Sequence, residues 1–331
     1  MPRRGDCPPE SAARRGGVPR KDITMTATRT PTIGFVGLGH MGGAMAARLL
    51  ADGYPVYGTS RTRQRAQRLE SSGLRWRDTP REVAEAAEVV LTSVPDDAAL
   101  NAVASGDDGI LAGLAARKTW VEMSTVSPQA SRELARLAAA RSATMLDAPV
   151  SGSVPQAHTG TLTIMVGGDE IGYARVEPVL RELGRPTRVG ANGQGLALKL
   201  AINTSLAAQM IALSEGLLLA ERSGVDRKLA VQLMTDSPIG SPMLKARAPL
   251  VLDLPEGAWF DVNLMQKDLT LALDAGRRLG IPLLTAGIAD EVLTLARALG
   301  YGHRDLAAVF EVLEQATTPP VAEHGIQTPE S

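Results

Sequence analysis

The chain has 331 residues, 44% of them hydrophobic and 21% charged, the make-up of an ordinary globular protein with room for two domains. A formal net charge of -1 supplies no global basic field for nucleic acid or an anionic membrane. The single cysteine, Cys7, excludes an internal disulfide framework and cannot by itself form a zinc site. Aromatic residues make up only 3%, so the core must be built from Ala, Leu, Val, Ile and Met. That favours helices packed on each other or on a sheet over an all-β sandwich.

Residues 1–30 read as a disordered extension of Pro, Arg, Gly and Ser without the apolar run a secretory signal needs. Asp6, Glu10 and Asp22 argue against an organellar transit peptide, and Met25 is a candidate for a more natural start than Met1. A reducing, cytoplasmic setting is the simplest expectation. The β-branched run 32–36 predicts a strand that meets a glycine-rich turn, with a helix from 42 to about 52, stopped by Gly53. A short second strand begins at 55–57 and runs on to Thr59. Helices are expected near 62–71, 80–87 and 128–141, and strands at 89–94, 119–123, 144–147 and 162–166. Strands alternating with helices predict an α/β domain over 31–192, a Rossmann-type, mostly parallel, doubly wound sheet.

The pattern then changes. Residues 196–223 carry no turn signal, are apolar on nearly every side and meet a stop at Gly224. At 1.5 Å per residue such a helix is roughly 40 Å long. Lys199, Asn203, Gln209, Ser214 and Glu215 interrupt it too often for a membrane span, so it is expected to be buried at the centre of the protein. Helices near 227–235, 264–279, 282–299 and 306–315 complete an all-helical domain over 193–317 for substrate and dimer contacts. Residues 318–331 read as a second disordered tail.

Gly37-Leu38-Gly39-His40-Met41-Gly42 follows a strand and opens a helix, which is the context a dinucleotide-binding loop requires. Gly37 permits the turn, Gly39 lets the backbone approach a pyrophosphate, and Gly42 lets the helix pack on the strand. A site for NADH ordinarily ends the second strand with a carboxylate for the ribose hydroxyls. Here the strand Val56-Tyr57-Gly58-Thr59 ends in Ser60-Arg61-Thr62. Two hydroxyls and a guanidinium fork suit a 2′-phosphate, so NADPH is expected in preference to NADH.

The residues from Thr32 to about Glu314 resemble the β-hydroxyacid dehydrogenase family, which includes 3-hydroxyisobutyrate dehydrogenase and tartronate semialdehyde reductase. Four blocks carry the resemblance. They are Gly34 to Gly42 with Met45-Ala46; Asp147-Ala148-Pro149-Val150-Ser151-Gly152-Ser153 leading to Gly160-Thr161-Leu162 and Gly167-Gly168; Gly193-Gln194-Gly195 with Lys199 and Asn203; and Phe260 with Lys267-Asp268-Leu269. The resemblance implies hydride transfer between NADP(H) and a short β-hydroxyacid or its semialdehyde or keto acid. Lys199 stands where the family has its catalytic lysine, and Asn203, four residues on, projects from the same helix face. The lysine would protonate the alkoxide that develops as hydride arrives. Burial and the nearby Lys267 would lower its pKa.

The resemblance further implies that Ser151, Gly152 and Ser153 cradle the substrate carboxylate. Ser153, where many members have Gly, resembles the branch that reduces glyoxylate or succinate semialdehyde with NADPH. Ser124 and Thr125 would lie by the substrate and the nicotinamide ribose. Val94 and Pro95 would line the cofactor, Lys267 would reach across the cleft to substrate or cofactor, and Asp268 would pair structurally. His40 sits at a variable position and suits a contact more than catalysis. His158, His303 and His324 are isolated, with no second ligand at metal spacing. Trp76, Trp120 and Trp259 form no stacking platform. An imine reductase of the same architecture and a non-catalytic NADP-binding module are the alternatives, and Lys199 argues against both. The expected partners are a small carboxylate-bearing substrate and further copies of the chain, as a homodimer or homotetramer, with no nucleic acid and no membrane.

Overall fold

The computed structural model describes residues 30–317; the expected disordered ends, with Cys7, Met25 and His324, lie outside the described residues. The buried β1 (Ile33–Val36) leads through the glycine turn into α1 (His40–Ala51) and then β2 (Val56–Thr59). A 3-10 turn (Arg63–Ala66), α2 (Gln67–Ser71), β3 (Arg75–Trp76), α3 (Pro80–Ala86) and β4 (Val89–Thr92) follow. Next come α4 (Asp97–Ala104), α5 (Ile110–Gly113), β5 (Thr119–Glu122), α6 (Pro128–Ala139) and β6 (Thr144–Asp147). The sheet half closes with β7 (Val150–Ser151), α7 (Val154–Thr159), β8 (Leu162–Gly167), α8 (Glu170–Leu183) and β9 (Gly184–Gly190).

The strands are ordered β3-β2-β1-β4-β5-β6-β8-β7, with β9 beside β8. Pairing is parallel from β3 through β6, whereas β8 runs antiparallel to β6 and β7. The chain builds outward from β1 first toward β2 and then toward β4, and the crevice outside the carboxyl ends at such a switch point is where an open α/β sheet binds ligands. Both faces are covered. Val90, Trp120 and Met145 enter one core while Leu91, Val121 and Leu146, each the next residue along, enter the other. This is the period-two alternation of strands buried on both sides.

After the sheet come α9 (Gln194–Arg222), α10 (Arg227–Asp236), α11 (Pro242–Arg247), a 3-10 turn (Ala248–Val251), α12 (Val262–Leu279), α13 (Leu284–Ala298), a 3-10 turn (Leu306–Ala308) and α14 (Val309–Thr317). One helix serves two cores. Leu196 of α9 packs in the core that holds Trp120, while Ala207, Met210 and Leu217 pack with Met265, Leu293 and Phe310 of the helical half.

Polar interruptions do not separate α9 from a membrane span in the way the sequence suggests. A window of this helix has mean hydropathy 1.5 and passes for a span by length and composition. What sets it apart is its placement. It packs on β8, β9, α10, α12, α13 and α14, and Lys199, Asn203 and Ser214 are buried with their bonds made inside the protein. Its burial is incomplete along one face, where Leu198 is 42% and Leu219 71% exposed.

Candidate active site

The three loop glycines are glycine for different reasons. At Gly37, with φ +94°, an added Cβ would lie 2.2 Å from the Ser93 carbonyl oxygen, and at Gly42 it would lie 2.0 Å from that of Gly37. Both exclusions come from the chain itself. A Cβ on Gly39 would meet nothing within 4 Å. Gly39 is the N-cap of α1, whose first turn has no side-chain cap, so open space faces the amide end of a helix. Those are the features a pyrophosphate requires: access for its oxygens, N–H donors and the positive end of the helix dipole. The residues present fit a dinucleotide. The Leu38 side chain is buried in the core, which leaves its backbone to face a ligand, and His40 is exposed.

At the end of β2, Ser60 is half-buried and Arg61 and Thr62 are exposed. Arg63 is engaged, 5.2 Å over the Trp76 ring and 3.3 Å from Glu70. Arg61 has no hydrogen bond or ion pair among the described residues.

The ends of β4 and β5 are tied into one shelf. The Val94 amide donates to Ser124 Oγ at 2.7 Å, and the Ser124 amide donates to Glu122 Oε1 at 2.7 Å. The other oxygen of Glu122 meets the Thr92 hydroxyl, which also accepts from Trp120 Nε1 at 3.0 Å. Glu122 is fully buried, and desolvation, the largest cause, pushes its pKa up to about 7 against the lowering pull of these hydrogen bonds. Sequence reasoning missed it, although a carboxylate closing the apolar run Trp120-Val121 was a visible signal.

From this shelf a chain of polar contacts crosses to the helical half. Lys267 of α12 donates to the Thr125 carbonyl oxygen and lies 2.7 Å from Asp268 Oδ1. Asp268 Oδ2 accepts from Asn203 Nδ2 at 2.5 Å, and Asn203 Oδ1 accepts from Lys199 Nζ at 2.9 Å. Lys199, Asn203 and Asp268 are all buried. The carboxylate of Asp268 can only accept, so it fixes the amide flip that turns Asn203 Oδ1 toward the lysine. Burial, the largest cause, lowers the pKa of Lys199 to about 8; Asp268 opposes it, and Lys267 and Arg247 reinforce it. Burial and Lys267 are the causes the sequence suggests, and Arg247 and the opposing Asp268 come from the fold. Asp268 thus does more than pair: it holds the residue that holds Lys199.

Asp147 sets where α9 begins. Its buried carboxylate accepts from the Gly193 amide at 2.6 Å, the Leu196 amide at 3.0 Å and Ser131 Oγ at 3.0 Å. Gly195 has to lack a side chain, since a Cβ there would come within 2.8 Å of Asp147 Oδ2 and 2.4 Å of the Met165 carbonyl. Lys199 follows one turn later, so its height above the sheet is set by this cap.

The Ser151–Ser153 loop stands apart in its bonding. Ser151 pairs with Thr163 in the sheet, and Gly152 has φ +130°. The amide and hydroxyl of Ser153 both donate to Gln156 Oε1, at 3.0 and 2.8 Å, at the start of α7. None of the loop's hydrogen bonds reaches Lys199, Asn203 or Lys267. Among the described residues no group of His, Cys, Asp and Glu is placed to hold a metal ion.

Comparison with known proteins agrees with this arrangement along nearly the whole described chain. Residues 32–193 match the model described as the NAD binding domain of 6-phosphogluconate dehydrogenase. Residues 193–313 match the model described as NAD-binding of NADP-dependent 3-hydroxyisobutyrate dehydrogenase. The chain is 34% identical over 287 residues to the 2-(hydroxymethyl)glutarate dehydrogenase of Eubacterium barkeri, covering 86% of this chain and 95% of that protein. A solved 3-hydroxyisobutyrate dehydrogenase of Mycobacterium tuberculosis with L-serine is 30% identical, with TM-score 0.76, over 86% of this chain and 99% of that one. Psf3 in complex with NADP+ and 2-OPP is 26% identical, with TM-score 0.79, over 85% of this chain and 100% of that one. With a dinucleotide loop, a buried lysine on the central helix and both family models in register, the chain belongs to the nicotinamide-dependent β-hydroxyacid dehydrogenases, the family of the 3-hydroxyisobutyrate dehydrogenases.

Proposed function

We propose that this enzyme transfers a hydride between NADP(H) and a short β-hydroxyacid or its semialdehyde or keto acid, with Lys199 as general acid and base. The observation that carries the reading is the polar chain Lys199–Asn203–Asp268–Lys267–Thr125, buried over its first three members, which links the lysine helix to the strand ends, where open α/β sheets bind ligands. A bound nicotinamide would supply or accept the hydride, which leaves all proton movement to the protein. In reduction, the Lys199 ammonium donates to the oxygen on which negative charge develops; in oxidation, the neutral amine removes the hydroxyl proton. A lysine with a pKa of about 8 is available in both states near neutrality. Asn203 Oδ1 takes one of its hydrogens and leaves the rest of Nζ for substrate.

Lys267 and the loop of Ser151, Gly152 and Ser153 would bind the substrate carboxylate, the Ser153 amide and hydroxyl by exchanging Gln156 Oε1 for it, with Ser124 and Thr125 beside the reacting carbon. The Eubacterium barkeri relative, by its name, acts on a short acid of this kind. Preference for NADPH is supported by the Arg61 guanidinium between Ser60 and Thr62, which has no hydrogen bond or ion pair among the described residues, and by the lack of a carboxylate there. A homodimer or homotetramer fits the apolar side chains left open on the helical half, with Leu284 77% and Ile288 66% exposed. The test is a panel of short semialdehydes, keto acids and hydroxyacids followed by NADPH and NADH absorbance. Lys199→Ala should abolish turnover of the best substrate; full turnover by that variant would refute the mechanism. Arg61→Ala should narrow the advantage of NADPH, and faster use of NADH by the unaltered protein would refute the cofactor reading.

A further inference from the structure

We infer that Glu122 is a positioning residue, whose gain or loss of one proton exchanges two hydrogen-bond arrangements beneath the cofactor shelf and so changes how tightly the cofactor is held. The inference rests on reading Val94–Pro95 and Ser124–Thr125 as that shelf.

The carboxyl group is fully buried at the end of β5, and its partners are neutral: the amide of Ser124 on Oε1, the Ser124 hydroxyl, and the Thr92 hydroxyl on Oε2. From β4 it meets no ionisable group. From β6 it faces Asp147, another carboxylate, which is itself bonded by Ser131 of α6 and by the start of α9. Lys267 of α12 reaches the shelf at the Thr125 carbonyl and is not among the charges that act on Glu122. A buried carboxylate without a cation is costly. A glutamine would have the same shape, accept from Ser124 and donate to Thr92. Tying the strand ends together therefore does not require an ionisable group, yet one is present.

Each protonation state has its own hydrogen-bond arrangement. With Glu122 neutral, Oε2–H donates to Thr92 Oγ1, and the Thr92 hydrogen turns to the Val121 carbonyl, 3.5 Å away. With Glu122 charged, the Thr92 hydroxyl donates to Oε2 and leaves Val121. In both, Trp120 Nε1 donates to Thr92 and the Ser124 amide donates to Oε1. The second arrangement makes the Ser124 bond charge-assisted, shorter and stronger. Ser124 Oγ carries the Val94 amide and the adjoining Thr125 carries Lys267, so the shelf and the cross-cleft contact respond together. Burial places the titration near neutrality, at about 7.

The test is a fluorescence titration of the intact protein with NADPH, without substrate, from about pH 5.5 to 8.5, for the unaltered chain and Glu122→Gln. Gln keeps the neutral arrangement at every pH. The ratio of the two dissociation constants should stay constant in acid and change by about threefold or more across neutrality; titration of the cofactor's own phosphate is common to both and cancels. A ratio that is flat with pH overturns the inference. Val94→Trp separates this from failure of the shelf reading: unchanged NADPH affinity in that variant sinks the shelf itself, whereas weakened affinity with a flat Gln ratio sinks the role of Glu122 alone. Isotope-edited infrared spectroscopy of the unaltered protein decides the case even if the Gln variant does not fold. A protonated-carboxyl band lost between about pH 6 and 8.5 is expected, and a carboxylate band at all pH values overturns the inference.

Discussion

Lys199→Met removes a buried charge while keeping the length and flexibility of the side chain, and it should abolish turnover with cofactor present while making the cofactor-free protein more stable at neutral pH. The drop in the lysine pKa from 10.5 to about 8, at ~1.36 kcal/mol per pH unit, means that holding the ammonium in the fold costs roughly 3 kcal/mol at pH 7. Loss of the bond to Asn203 leaves a buried acceptor without its donor, which costs about 1–2 kcal/mol. The net gain is about 1–2 kcal/mol. The sign follows from the protons bound. Below the folded pKa both states are protonated and the folded one carries the full penalty. Between about 8 and 10.5 the unfolded chain keeps its proton while the folded one has lost it, so stability of the unaltered protein rises with pH. Its disadvantage relative to the methionine variant should therefore shrink by roughly 2 kcal/mol between pH 7 and about pH 9.5. Urea unfolding of both proteins at the two pH values measures this. A methionine variant that is less stable at pH 7, or a gap that does not change with pH, would refute the assignment of a strained, desolvated lysine.

The same lysine predicts kcat/KM for reduction to fall about tenfold per pH unit above about 8, while oxidation rises to a plateau there; a pH profile in each direction checks it, and parallel profiles would sink it. Gly39→Ala should keep stability within about 1 kcal/mol, since its methyl enters open space, yet weaken NADPH binding at least tenfold. Gly42→Ala should lower stability by about 1–3 kcal/mol because its methyl meets the Gly37 carbonyl, so melting curves and NADPH titrations together distinguish the two glycines. Lys118 donates to the carbonyls of Ala84, Glu85 and Ala87 at the end of α3, and Lys118→Met should cost about 1–3 kcal/mol in urea without changing NADPH affinity.

Features written locally in the chain were readable from it. The glycine loop lies between a strand and a helix within a dozen positions, and the Lys199–Asn203 pair is one helical turn. The central helix announces itself by length. By contrast α8 carries Pro178 in its interior and is held by the Asp169 cap on Gly172 and by burial of Val176, Val179, Leu180 and Leu183, which the local pattern does not reveal. In β9, Pro186 and the exposed arginines resemble a turn; it is a strand because it pairs with β8, and Pro186 is tolerated where one flank is unpaired. Glu122 and Asp147 were visible as charges in apolar strands. Their meaning was not, because Thr92, Ser124, Ser131, Gly193 and Leu196 reach them from separate segments of the chain.

The bond between Lys267 and the Thr125 carbonyl gives the cleft an internal competitor. Lys267 already has one oxygen from the sheet half and a carboxylate oxygen from Asp268, so on its proposed role in substrate binding an arriving acid would meet an ammonium that is occupied rather than free. Binding there is an exchange: a neutral carbonyl is released as a charged oxygen takes its place. A carboxylate gains from that trade because a charge-assisted bond replaces a weaker one, whereas an ester, amide or alcohol of the same size gains almost nothing. On the proposed role of Lys267, selection for anionic substrates would rest on this comparison with the protein's own backbone.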